Sequence, residues 1–205
     1  MKILTATLIA DGTSDRTLIP ILQFLLDEWS PLPHRLLFAE GIHNVPLVRK
    51  LDLALRLYPC DLLFVHRDAE TSPPDSRCVE INTAVKQLPD PVPYICIVPV
   101  RMTEAWLLLD PDAIRAAAGN PQGTAALQLP QAKYIEKVAD PKAKLFEALT
   151  IASERTGRRK RQFKPEIARH RVAELMKCET LRASPSFASA EMQVKNFFQS
   201  YVPAA

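Results

Sequence analysis

Hydrophobic and polar positions alternate along the first 118 residues between short apolar runs and longer amphipathic stretches. Apolar and β-branched residues are concentrated at 2–10, 35–39, 61–65 and 94–98, and these runs predict β-strands. Each run is followed by a stretch whose apolar residues recur at helical spacing. Because strands and helices alternate, we predict an α/β fold, a Rossmann-like parallel sheet of about four strands with helices on both of its faces.

The character of the chain changes beyond the predicted sheet. Residues 120–130 are typical of a loop, and the remainder carries helix signals without a convincing strand. We therefore predict an α/β domain over residues 1–120 and a helical C-terminal extension over residues 121–205. We expect the extension to pack on the domain as one compact unit. The candidate helices of the extension are 142–155, 165–177 and 190–201.

Composition excludes several classes of function. The 205 residues include only 5 glycines beside 18 prolines. No G-x-G-x-x-G, G-x-x-x-x-G-K-[ST] or G-x-S-x-G segment occurs, which disfavours a dinucleotide fingerprint, a P-loop and a nucleophile elbow. The 4 cysteines form no C-x-x-C pair, which disfavours zinc knuckles and thioredoxin chemistry. Without a signal peptide or a long apolar run, we predict a cytoplasmic protein with reduced thiols and no membrane partner.

Carboxylates follow three of the predicted strands. Asp11 follows the first strand, Asp68 and Glu70 follow the third, and Glu104 comes after the fourth. In an extended segment, residues 68 and 70 point the same way and could face one ion together. Oxygen ligands without His or Cys suit Mg²⁺ or Mn²⁺ rather than zinc. The pattern predicts a divalent-metal site that acts on a phosphate ester.

A plainer interpretation of these polar residues stands beside the metal site. Loops are polar, and the first turn of a helix favours Ser and Asp, so each carboxylate could be structural. Asp15 is the clearest case, because helix capping by Ser14 and the helix dipole account for it fully.

Basic residues are concentrated in one segment of the predicted extension. Residues 155–164 hold six of the 26 basic side chains of the chain. Such a run suits electrostatic contact with a nucleic-acid backbone, and a solvated loop is the alternative. Arg67 and Arg101 lie beside the acidic residues, where each could hold a substrate phosphate or form an internal salt bridge. The candidate phosphate-binding residues of the run are Arg158, Arg159, Lys160 and Arg161.

Three acidic motifs occur in a fixed order: D-G-T-S-D at 11–15, D-A-E at 68–70 and E-A-W-L-L at 104–108. This order resembles the bacterial domain-of-unknown-function 4276 family, whose pattern is E-G-x-[ST]-D, then D-x-D, then E-A-W-L-L. That family is similar to the TOPRIM domains of topoisomerases, primases and overcoming-lysogenization-defect nucleases. The resemblance covers about residues 1–118 and implies a TOPRIM-like fold for the predicted sheet.

The resemblance also implies roles for individual residues. Asp11 stands at the position of a glutamate that acts as general acid or base, and it could also contact the metal. Asp68 and Glu70 match the two aspartates of the D-x-D metal motif. Glu104 matches a third acidic position, with a catalytic role as an extra metal ligand or as a group that positions water. Gly12 matches the turn after the first strand, where a missing side chain leaves room for metal or substrate. The chain departs from the pattern at two positions. Asp stands at position 11 in place of Glu, and Glu stands at position 70 in place of Asp.

Three functions follow from these features. The first is Mg²⁺- or Mn²⁺-dependent phosphodiester hydrolysis by a TOPRIM-type nuclease, in phage defence or DNA processing. The second is a TOPRIM-like binding module of little or no activity that partners an ATPase, as the resemblance implies. The third is a receiver-like phosphoacceptor domain, for which the lysine expected after a fifth strand has no clear candidate. The expected partners are nucleic acid, the ATPase and a second copy in a homodimer.

Overall fold

The computed structural model describes residues 2–42 and 44–201 and has one parallel sheet of four strands, ordered β2-β1-β3-β4. The sheet confirms the predicted fold class. The two central strands are buried along their whole length, which is why their sequences are almost wholly apolar. The strands are β1 (Leu4–Ile9), β2 (His34–Phe38), β3 (Leu62–His66) and β4 (Tyr94–Ile97).

Helices cover both faces of the sheet. One core cluster packs the helices at residues 47–57 and 74–85 against one face, and a larger cluster packs the helix at residues 18–29 and most of the helices after β4 against the other. Three short 3-10 turns supplement the helices, at Thr13–Thr17, Ala132–Lys137 and Cys178–Ala183. The helices before β4 are α1 (Leu18–Trp29), α2 (Leu47–Leu57) and α3 (Pro74–Val85). Those after it are α4 (Glu104–Leu107), α5 (Pro111–Ala117), α6 (Pro141–Ala152), α7 (Gly157–Gln162), α8 (Pro165–Leu175) and α9 (Pro185–Ser200).

Two local details differ from the predictions. The chain after β1 first forms the 3-10 turn, so Ser14 lies inside that turn and does not cap α1. Instead, Asp15 accepts a hydrogen bond of 2.9 Å from the backbone N–H of Gly12. The basic segment contains a helix of its own, α7, which the apolar periodicity did not predict because no residue of that helix is buried.

The C-terminal helices share the larger core with the sheet. Trp106 of α4 lies in this core with its ring edge-to-face against Phe187 of α9, at a centroid distance of 5.5 Å. Its indole N–H donates a 2.9 Å hydrogen bond to Ser186. The segment 104–108 therefore binds the C-terminal region to the sheet through its tryptophan.

Helix α9 also covers the outer edge of β4. The side-chain amide of Gln193 accepts a hydrogen bond from the N–H of Cys96 at 3.2 Å and lies 3.4 Å from its carbonyl oxygen. This pairing satisfies backbone groups that an open sheet edge would leave exposed. Among the described residues, no helix is long and apolar enough to cross a membrane.

We expect Phe187→Ala to lower the free energy of unfolding by about 3–5 kcal/mol, because it opens a cavity in the shared core. Unfolding in urea, followed by tryptophan fluorescence and by circular dichroism, should show one coincident transition for sheet and helices. Met192→Ala, on an exposed position of the same helix, is the control and should change the stability by no more than about 0.5 kcal/mol. Two separated transitions would contradict a common core.

Candidate functional site

The loops after β1, β3 and β4 bring four titratable residues together at the carboxyl edge of the sheet. His66 Nε2 lies 3.5 Å from Asp68 Oδ1 and 3.9 Å from Asp15 Oδ2. The carboxylate of Glu104 acts electrostatically on Asp68 from the next loop. We call Asp15, His66, Asp68 and Glu104 the acidic crevice. Parallel sheets of this kind bind ligands at this edge.

His66 is the buried centre of the acidic crevice, with 2% of its surface exposed. It is the last residue of β3, and its Nδ1 lies 3.0 Å from the carbonyl oxygen of Ile97 on β4. A carbonyl only accepts, so Nδ1 carries the hydrogen of this bond. The ring is thereby fixed with Nε2 facing the carboxylates of Asp15 and Asp68.

Asp68 carries the most perturbed carboxylate of the crevice. Burial raises its pKa to about 6 from 3.8, and the negative charges of Asp15 and Glu104 act in the same direction. His66 and the backbone N–H of Thr103, which donates a 3.1 Å hydrogen bond to Oδ1, oppose this rise. The ionised form of Asp68 is therefore short of neutralising charge, a situation that a bound cation would relieve.

Glu104 forms a buried ion pair with the C-terminal region. Its Oε1 accepts a 2.6 Å hydrogen bond from Nη1 of Arg169 on α8, and both side chains are 9% exposed. The Nε of Arg169 is buried and has no partner among the described residues. Sequence reasoning missed this contact, because 65 positions separate the partners and no local pattern links them.

Asp11 is held by two cations. Lys50 Nζ of α2 lies 2.9 Å from Oδ1, and Arg67 Nε lies 2.9 Å from Oδ2. The other side of the Arg67 guanidinium donates a 2.8 Å hydrogen bond to Glu80 of α3. Both oxygens of Asp11 are thus engaged in this network. Arg67 accordingly forms the internal salt bridges that were the alternative to a phosphate contact.

Glu70 does not point with Asp68 as extended geometry would require. Its φ is +53°, so the chain turns into the left-handed region directly after β3 instead of continuing as a strand. The carboxylate, 66% exposed, lies 3.2 Å from Nη2 of Arg77. The N–H of Glu70 donates a 2.8 Å hydrogen bond to the carbonyl of Arg101, which itself has a φ of +61°. Arg101 thereby joins the two loops through its backbone, and its role toward phosphate stays a prediction.

The backbone conformation at residue 12 does not require a glycine. Its φ of −151° and ψ of 170° are extended values that other residues adopt. A Cβ added there would meet Ser14 Oγ at 3.6 Å, which is ordinary contact. A small side chain could therefore be accommodated at this position, and the role of Gly12 in admitting metal or substrate stays a prediction.

The predicted basic residues lie apart from the acidic crevice, on α7. Arg158, Arg159, Lys160 and Arg161 are exposed, and none of them forms a salt bridge with a carboxylate in the described part of the chain. Their charge is thus available to an external anion.

A divalent cation suits part of this site. Within residues 2–42 and 44–201, no three His, Cys, Asp or Glu side chains already stand in an arrangement that could hold a metal ion. The crevice nevertheless offers hard oxygen donors, which Mg²⁺ and Mn²⁺ prefer. The hydroxyl of Thr103, beside Asp68, is buried and has no partner among the described residues. An orphaned oxygen beside an under-neutralised carboxylate fits a hydrated cation, which completes its shell with water.

Comparisons with protein-family models, with the curated proteins and with the solved structures find no match to this chain.

We expect Asp68→Asn to raise the free energy of unfolding in EDTA at pH 7.5 by roughly 1–3 kcal/mol, since it removes a buried charge. The gain should grow as the pH rises from 3.8 to about 6, because the unfolded wild-type chain then loses a proton that the folded protein keeps. Below that range the gain should vanish. Exposed Asp90→Asn is the control, and a pH-independent effect of Asp68→Asn would contradict the raised pKa.

We expect Arg169→Met to lower the free energy of unfolding by about 3–5 kcal/mol, because it leaves the Glu104 carboxylate buried without its cation. Adding Glu104→Leu should recover much of this loss, since both charges are then gone. Lys144→Met breaks a surface pair with Glu147 and should cost no more than about 1 kcal/mol. Urea titrations measure all three, and additive losses in the double variant would contradict the pairing.

Proposed function

We propose that this protein hydrolyses phosphodiester bonds with the help of Mg²⁺ or Mn²⁺ at the acidic crevice. The observation that carries the proposal is Asp68, a carboxylate whose pKa is raised to about 6 by burial beside two further carboxylates. The neighbouring orphaned hydroxyl of Thr103 supports the same interpretation. The resemblance of the motifs to TOPRIM nucleases points to nucleic acid as the substrate.

The residues that would hold the cation are Asp68, with Glu104 or Asp15 beside it. Asp68 stands at the first metal position of the resemblance, and Glu104 and Asp15 are the carboxylates that act on it most directly. Asp11 and Glu70, also predicted as ligands, can join the site only after their ion pairs open. Burial of the crevice strengthens each of these electrostatic interactions, because little water screens them.

A bound divalent cation supplies a Lewis acid that polarises the phosphoryl oxygen and favours attack by water. The side chains of the crevice supply the remaining functions. His66, fixed by Ile97, presents Nε2 to two carboxylates and can hold a proton there. Arg169 neutralises Glu104 through one guanidinium nitrogen and holds that carboxylate in place. Asp11 is the predicted proton carrier once it leaves Lys50 and Arg67.

A second candidate function is a non-catalytic binding module. The observation in its favour is that Asp11, Glu70 and Glu104 each form an ion pair with a Lys or Arg of the same chain. Carboxylates neutralised in this way stabilise loops without any metal. Under this candidate the crevice is a structural charge network, and the partner ATPase implied by the resemblance would supply the chemistry.

Supercoiled plasmid incubated with purified protein and Mn²⁺ or Mg²⁺ tests hydrolysis. We expect nicking by the wild type and a loss of at least 10²-fold in Asp68→Asn, because removing an electrostatic group of the site costs roughly this much. Asp90→Asn, an exposed carboxylate near the amino end of β4, should keep full activity. Nicking that persists in Asp68→Asn would contradict the assignment of hydrolysis to the acidic crevice.

Calorimetric titration with Mn²⁺ separates the two candidates. Mn²⁺ binding that depends on Asp68, together with nicking, supports the nuclease. A wild type that neither nicks nor binds Mn²⁺ favours the structural network of the second candidate. The titration should be run at pH 7.5 and pH 5.5, since protonation of Asp68 weakens binding at the lower value.

A further inference from the structure

Two cavities meet on the outer side of helix α8. The larger, of about 650 Å³, lies between this helix and the turn Thr13–Thr17 with the start of α1. The smaller, of about 480 Å³, lies between the same helix and the segment around α7. His170 and Glu174 line both cavities. The two cavities are therefore neighbours on either side of these two residues, and we call them together the α8 groove.

One end of the α8 groove adjoins the acidic crevice. Thr13 and Arg16 line the larger cavity, and they belong to the same 3-10 turn as Asp15, which faces His66. On α8 itself, Arg169 reaches Glu104 while the next residue, His170, lines the groove. A single helix thus separates the crevice from the groove, and the groove opens beside the crevice.

The other end of the α8 groove is strongly basic. Arg155, Lys164 and Arg171 line the smaller cavity. None of these three forms a salt bridge with a carboxylate in the described part of the chain, and the same holds for the four basic residues of α7 next to them. Burial, with the positive charges of Arg169 and Arg16, holds the pKa of His170 below its ordinary value. The positive charge of the groove is therefore concentrated at this end, whereas Arg16, which is paired with Glu40, and the carboxylate of Glu174 line the larger cavity.

An aromatic ring lies in the basic half of the groove. Phe163 lines the smaller cavity and is half-buried, and the guanidinium of Arg155 stacks over its ring at 4.9 Å. Unpaired bases stack on such aromatic and guanidinium planes, while flanking cations follow the phosphates. A duplex presents no unpaired base faces to such a platform, so the combination of charge, concavity and ring favours a single strand.

We propose that the α8 groove binds single-stranded nucleic acid and directs it toward the acidic crevice. The direction of the strand rests on the proposed function, whereas binding in the groove does not require the crevice to be catalytic. DNA and RNA share the phosphates and base faces that the groove would contact, so the test includes both.

Fluorescence anisotropy in EDTA measures binding of labelled twelve-residue oligo-dT and oligo-U, with a blunt DNA duplex and poly-glutamate as competitors. We expect either single strand to bind, with the duplex and the polypeptide competing at least tenfold more weakly. The wild type should show a linear loss of log affinity with log salt. Equal competition by the duplex, or preferential binding of poly-glutamate, would overturn the proposal in favour of a nonspecific anionic surface.

The variant Lys164→Gln/Arg171→Gln removes two charges that line the groove without touching the crevice. We expect at least a tenfold loss of affinity and a salt slope that is shallower by about 1.4, the value for two lost single-strand contacts. The matched control is Lys133→Gln/Lys137→Gln, two exposed lysines beside Tyr134 whose loss changes the net charge equally. Equal losses in both variants would overturn the proposal.

Photocrosslinking of an oligonucleotide carrying 4-thiouridine locates the bound strand. Crosslinked peptides should fall within residues 155–174 or 13–23, and crosslinks confined to residues elsewhere would contradict the groove. Binding that follows these expectations without any nicking would support the groove and contradict the proposed hydrolysis. Nicking with wild-type affinity in Lys164→Gln/Arg171→Gln would contradict the groove and leave the proposed hydrolysis standing.

Discussion

The buried ion pair between Glu104 and Arg169 ties the candidate site to the rest of the molecule. Glu104 begins α4 directly after the loop that follows β4, and Arg169 lies in the middle of α8. Because both side chains are almost completely buried, neither charge can be solvated by water if the other is removed. The pair therefore fixes α8 against the carboxyl edge of the sheet. The pair acts together with Ala168, Val172 and Ala173, which pack the same helix into the larger core.

The charge balance of the crevice follows from that constraint. Arg169 neutralises Glu104, but Asp15 and Asp68 remain beside His66 without a full ion pair of their own. A few ångströms away, by contrast, Asp11 has two cations. The chain thus neutralises the loop around Asp11 and leaves Asp68 under-neutralised. Such an imbalance between Asp11 and Asp68 does not add to stability, but it is typical of a site that binds a cation or a proton.

Sequence periodicity was enough for the fold, because strands buried on both faces and amphipathic helices each leave a local pattern. It also placed Asp68 and Glu104 correctly, since the carboxyl ends of parallel strands meet at one edge. The pattern could not predict which carboxylates are neutralised by an ion pair with a distant Lys or Arg. Asp11 meets Lys50 from 39 positions away, and Glu104 meets Arg169 from 65 positions away. The turn at Glu70 could not be predicted for another reason, because a non-glycine residue with a positive φ leaves no signal in the sequence.

Helix α8 also explains why the C-terminal region matters to the candidate site. Consecutive residues on a helix point about 100° apart, so Arg169 can enter the crevice while His170 lines the groove. A strand held in the groove would contact the helix that carries the partner of Glu104. Any shift of that helix changes the distance between the two charges, and the negative charge acting on Asp68 changes with it. Under the two proposals, binding of a strand and protonation of Asp68 would be coupled through helix α8.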